Sequence, residues 1–182
     1  MVTFTAPVLN YGILAPILIV LGGALIGVLV EAFAPRKSRS SSQLFIAVFT
    51  LVIALAALLR TREIYSAKAA MSSITFDGAG FLLQGSILII SLIAILLLAD
   101  SDKFAAAPTA IPGSDEERQA QAANIRVTEI YPLTLFAIAG MLIFPVATDL
   151  ITLFVALEVL SLPLYLMAGL ARRRRLASQE AA

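Results

Sequence analysis

Apolar positions in this chain do not alternate with polar ones; they run together in blocks. A helix crosses the hydrocarbon core of a bilayer with about 20 apolar residues. On that measure the pattern predicts five membrane-spanning helices, over 11–33, 43–59, 81–99, 131–147 and 149–171. The first ends before Pro35-Arg36-Lys37, the second at Arg60, the third at Asp100 and the fifth at the block Arg172 to Arg175. The second is near the lower length limit. The predicted fold class is an all-α membrane protein of five transmembrane helices. Its 182 residues are 60% hydrophobic, against about 45–50% in soluble domains.

The connections divide the chain. Residues 1–99 hold three helices, 100–128 form an acidic, Ala- and Pro-rich loop outside the bilayer, and 129–182 hold the last two helices. Pro35 to Ser42 reads as a short basic connection, and Arg60 to Gly80 as a longer one that includes the turn signal Asp77-Gly78. In the acidic loop, Ser114 is placed to cap a short helix over Asp115-Glu116-Glu117-Arg118. Only Thr148-Asp149 separates the fourth span from the fifth, which predicts a tight helical hairpin with Asp149 capping the fifth helix. No basic residue precedes the first span and no small-residue cleavage pattern follows it, so that span is expected to remain as a helix. With the N-terminus outside, ten basic residues fall on the inner side and three on the outer. The positive-inside rule therefore predicts a multi-pass protein of the cell membrane, N-terminus outside and C-terminus cytoplasmic.

Composition narrows the chemistry. The chain has no His and no Cys, which removes histidine acid–base chemistry, thiol nucleophiles and iron–sulfur ligation by these side chains. No metal site is expected. No glycine-rich phosphate loop is present, so no nucleotide cofactor site is expected either. The net charge of +1 comes from basic residues that flank membrane segments and need no nucleic acid.

Glu158 is the residue that the pattern does not absorb. It lies in the middle of the fifth apolar block. A carboxylate at that depth costs about 3 kcal/mol unless it is protonated, paired or wetted, and intramembrane acids commonly mark proton or ion pathways. Ser161, Leu162 and Tyr165 follow at three, four and seven residues, so acid, hydroxyl and phenol share one helix face. Desolvation favours a neutral carboxyl and a nearby cation favours a charged one. A glutamate between these influences can exchange protons, with Ser161 and Tyr165 orienting it or a water. The alternative is a protonated packing residue. Pro163 removes a backbone donor just past the acid; the freed carbonyl could serve the same site or simply accompany a kink.

Other polar and small residues carry less. Gly23 and Gly27 form a small-xxx-small motif that permits close helix approach but names no partner. Glu31, near Arg36 and Lys37, reads as a solvated acid at the interface. Gln84, Ser86 and Ser91 can hydrogen-bond between helices. The terminal arginines read as a topology anchor that can also meet anionic lipid.

The run Glu129-Ile-Tyr131-Pro132-Leu-Thr-Leu-Phe-Ala-Ile-Ala-Gly-Met, then Asp149-Leu-Ile-Thr-Leu-Phe-Val-Ala-Leu-Glu158-Val-Leu-Ser-Leu-Pro-Leu-Tyr165, resembles the subunit N family of proton-translocating NADH-quinone oxidoreductase, bacterial respiratory complex I. Phe76-Asp77-Gly78 is similar to that family as well. The resemblance implies an antiporter-like bundle of about fourteen helices with inverted repeats, of which 129–182 begins the first. It implies that Glu158 transfers protons by pairing with a lysine on a later helix, with Ser161, Pro163 and Tyr165 in support. It implies other membrane subunits and lipid as partners, and NADH, FMN, iron–sulfur clusters and quinone held elsewhere in the complex. The chain ends at Ala182, where the family continues, and its spans contain no lysine. It is therefore expected to be an N-terminal fragment that cannot pump alone. Two other functions fit the residues: an Mrp-type or hydrogenase-linked cation–proton antiporter subunit, and a non-transporting structural or assembly protein.

Overall fold

The computed structural model describes residues 9–63, 66–99, 115 and 128–170. Among these, five α-helices and one two-stranded hairpin follow one another: α1 Tyr11–Phe33, α2 Arg36–Arg60, β1 Ser66–Ala69, β2 Ile74–Asp77, α3 Gly78–Ala99, α4 Ile130–Ile143 and α5 Leu150–Leu170. Four of the helices are long and apolar enough to cross a membrane; the fourth in sequence, with its 3₁₀ extension, is a shorter apolar helix. The reading of a helical membrane protein holds, with the short hairpin added to it. The loop assigned to 100–128, including the cap at Ser114, falls outside the described residues apart from Asp115 and Thr128.

The first four helices pack as a group, α1 against α2 and α4, and α3 against α2 and α4, while α5 lies on the other side of α4. The core is drawn from single stripes. Ile13, Ile17, Val20 and Ala24 of α1 meet Ala47, Leu51, Ala54 and Leu58 of α2, with Leu88 and Ile95 of α3 and Leu135, Ile138 and Leu142 of α4. Alternating steps of four and three residues keep each stripe on one face. The opposite faces, such as Leu82, Leu83, Ile89, Ile90 and Ile93 of α3, remain exposed, as expected of surfaces that meet lipid.

Gly23 and Gly27 do permit close approach, and both partners lie in this chain. A Cβ at Gly23 would stand 2.3 Å from the Thr50 side chain of α2, and one at Gly27 would stand 3.0 Å from Pro132 of α4.

Three local features differ from the sequence reading. The connection between the first two helices is only Ala34-Pro35, because α2 begins at Arg36 rather than near residue 43. Hydropathy locates the apolar part of a helix, whereas serines and basic residues can continue it into water. The segment between α2 and α3 contains an antiparallel hairpin, pairing Ser66 with Asp77 and Ala69 with Ile74. Its turn carries three consecutive left-handed residues, Ala70, Met71 and Ser72, a conformation that costs about 1–2 kcal/mol per non-glycine residue. Nothing in that sequence advertises it. The hairpin buries Phe76 and Ala69 and bridges through Ile74 to Ala147. Finally, α4 closes with a 3₁₀ turn at Phe144–Val146, where Pro145 cannot donate a helical hydrogen bond.

Candidate functional site

Each functional candidate is placed by its helix. Asp149 starts α5 as expected: its Oδ1 accepts the Thr152 N–H at 2.8 Å and its Oδ2 accepts the Thr152 hydroxyl at 2.8 Å. The Thr152 backbone N–H, then its hydroxyl, hold the Asp149 carboxyl below the usual carboxylate range, with help from the Ser73 hydroxyl. The hairpin steadies this end of α5. The Thr148 N–H donates to the Ser73 carbonyl at 3.0 Å, and the Thr148 hydroxyl donates to the Ser72 carbonyl.

From this cap α5 runs unbroken to Leu170, through Pro163. Its packed face is defined by α4. A Cβ on Gly140 would stand 2.8 Å from the Ala156 carbonyl oxygen and 2.5 Å from the Leu160 nitrogen. The Thr134 hydroxyl lies 3.3 Å from the Met167 sulfur. Ala156 and Pro163 are buried. At about 100° per residue, Ala156, Leu160, Pro163 and Met167 form this stripe, and Glu158, Ser161 and Tyr165 lie on the opposite side.

The acid, hydroxyl and phenol do share one face, turned away from α4. Glu158 and Ser161 are partly buried and Tyr165 is 69% exposed. Among the described residues no hydrogen bond or ion pair reaches Glu158, Ser161 or Tyr165. Pro163 points into α4 instead. In all, 11% of the α5 span is buried, against 44% of α1; among the described residues no other helix packs on the polar face of α5.

A second acid is placed differently from its sequence reading. Glu31 is not a solvated interfacial group. Its Oε1 accepts Arg39 Nη1 at 2.9 Å, and its Oε2 accepts Gln43 Nε2 at 3.0 Å and the Thr128 hydroxyl at 2.7 Å. The Glu31 and Arg39 side chains are 17% and 22% exposed. Gln43 also donates to the Gly27 carbonyl at 2.7 Å, and Arg39 Nη2 to the Ala34 carbonyl at 2.8 Å. Three parts of the fold, the end of α1, the start of α2 and the entry to α4, thus meet on one carboxylate. The four-residue spacing of Arg39 and Gln43 was a signal for a shared helix face; it was hidden because α2 was expected to begin later. Among the described residues no group of acids is arranged to hold a metal ion.

Comparison with known proteins finds relatives along nearly the whole chain. NADH-quinone oxidoreductase subunit N of Acidothermus cellulolyticus is 50% identical over an alignment covering 97% of this chain. The chain is homologous to NADH-quinone oxidoreductase subunit N. The same-named subunit of Beutenbergia cavernae is 46% identical over 98% of the chain, and subunit N 3 of Streptomyces griseus is 42% identical over 99%. The resemblance read in Glu129 to Tyr165 therefore extends along nearly the whole chain. These 182 residues span about a third of the relatives' length, 35%, 36% and 35% in turn. The fold matches part of respiratory complex I from Thermus thermophilus with bound aureothin. That match has a TM-score of 0.64 at 23% identity and covers 91% of this chain and 31% of that one. No protein-family model matches the chain.

Proposed function

We propose that this chain forms part of a membrane subunit of NADH-quinone oxidoreductase, in which quinone reduction elsewhere in the complex drives proton translocation. Redox chemistry and its cofactors, NADH, FMN, iron–sulfur clusters and quinone, belong to partner subunits. Glu158 is the group that takes up and releases the proton, with Ser161 and Tyr165 orienting it or a water beside it. The supporting observation is the position of an ionisable residue mid-way along α5, on the face turned away from α4, in a chain 50% identical to subunit N. An acid on that face suits contact with further helices of a whole subunit, where a cation or water offsets its desolvation.

In this reading the N-terminus lies outside, the hairpin and the start of α5 are on the outer side, and Glu31 is on the inner side. Other membrane subunits and lipid surround the helices. In this reading these 182 residues alone do not move protons, because among the described residues no group pairs with Glu158.

The test is Glu158→Gln in a whole subunit carrying this segment, assembled in its complex. Proton uptake into inverted vesicles is measured together with NADH oxidation and complex assembly. The reading expects pumping to fall at normal assembly, with partial recovery in Glu158→Asp. Full pumping by Glu158→Gln at normal assembly overturns the assignment.

A further inference from the structure

The outer end of α4 contains a buried amide whose hydrogen bonding is half complete. Pro145 has no N–H, so the carbonyl of Met141, four residues earlier, lacks its usual helical donor. The turn at Phe144–Val146 is 3₁₀, and its bonds reach three residues back rather than four. That geometry takes the Val146 N–H away from Leu142. Gln84 of α3 fills the second gap, donating from Nε2 to the Leu142 carbonyl at 2.9 Å. This bond fixes the orientation of the amide, because a flipped amide would set oxygen against oxygen. Gln84 Oε1 is left buried with no donor among the described residues, on a side chain that is 1% exposed.

The surroundings are closed. One turn above, a Cβ at Gly80 would stand 2.9 Å from Val146 Cγ1. One turn below, Leu88 is 1% exposed. A buried amide oxygen without a donor is destabilising, and the Met141 carbonyl precedes the Leu142 carbonyl that Gln84 already holds, so a small molecule that donates twice would serve both.

We propose that one water molecule is bound between α3 and α4 at this break, donating one hydrogen to Gln84 Oε1 and the other to the Met141 carbonyl. Buried waters commonly serve polar groups in this way. The water completes the helix end that Pro145 opens, and it makes Gln84 a two-sided clamp, with Nε2 on Leu142 and Oε1 on the water.

A density map of the unsubstituted protein in lipid, at a resolution that shows ordered waters elsewhere, tests this directly. The expected result is a peak about 2.8 Å from both oxygens. Three results would overturn the proposal: no peak there, a protein donor on Oε1, or a peak ringed by further oxygens as a bound cation requires. Infrared difference spectra in H₂¹⁸O give a second readout. A buried-water O–H band should shift with the isotope and disappear in Gln84→Met, which keeps the volume and removes the acceptor. A band that persists unchanged in folded Gln84→Met protein contradicts the site.

Discussion

Gly140 marks the closest approach of α4 and α5, and Gly140→Ala tests whether that approach holds the pair together. The new Cβ would stand 2.5 Å from the Leu160 nitrogen, 2.8 Å from the Ala156 carbonyl oxygen and 2.9 Å from Leu160 Cα. All three are main-chain atoms within a helix, so none can rotate aside. Restoring ordinary contact requires the closest pair to open by about 0.9 Å, and a gap of about 0.5–1 Å forfeits a quarter to a half of each contact's attraction. Overpacking costs about 1–3 kcal/mol, and an obstacle made of backbone places this case at the upper end. Gly22→Ala is the matched control, because nothing lies within 4 Å of its added carbon. Both variants gain the helix propensity of alanine, about 0.8–1 kcal/mol, so that contribution cancels between them. Gly140→Ala should therefore be about 3 kcal/mol less stable than Gly22→Ala. Unfolding in the same detergent, followed by helical circular dichroism, measures the difference. Equal stabilities would refute the close-packing argument.

Gly23→Ala should lose about 1–3 kcal/mol against Thr50, whose β-branched side chain has little freedom to move; adding Thr50→Ala should recover most of it in the same unfolding assay. Glu31→Gln breaks the charged contacts that join α1, α2 and the entry to α4, and should cost about 1.5–3 kcal/mol. Glu158→Gln in this same 182-residue chain should change stability by less than about 0.5 kcal/mol, since no described residue bonds to it. A Glu158 effect as large as that of Glu31 would mean that the face is not open. The Asp149 carboxyl is held below its ordinary value by Thr152, so its cap is fully present above the unfolded carboxyl pKa, near 3.9, and is lost as pH falls through the lowered folded value. An acid titration of stability should thus show the advantage of the parent over Asp149→Ala shrinking below about pH 4; a constant difference through that range would remove Asp149 from the cap.

Much of the site was legible before any contact was known. Glu158, Ser161 and Tyr165 share a face because residues three and seven apart must do so on any α-helix, and Asp149 before an apolar block is a cap by its chemistry. The Glu31 cluster was not legible. Its carboxylate draws on Thr128, 97 residues away, and no local pattern links positions that distant. Gln84 could be marked as a group able to bond between helices, but the Leu142 carbonyl it meets depends on how α3 lies against α4.

The sequence by itself determined the number of apolar helices, the approximate place of each and the residue most out of keeping with oil. Those depend on composition and spacing along the chain. Tertiary structure decided which side of each helix packs, because helices that are apolar all round carry no stripe to say so. Small contacts made that choice: Gly140 against the α5 backbone, Gly23 against Thr50, and Gly27 against Pro132. By seating Ala156, Leu160 and Pro163 on α4, the packing left Glu158 on the side of α5 turned away from α4, an outcome that helical spacing alone could not select.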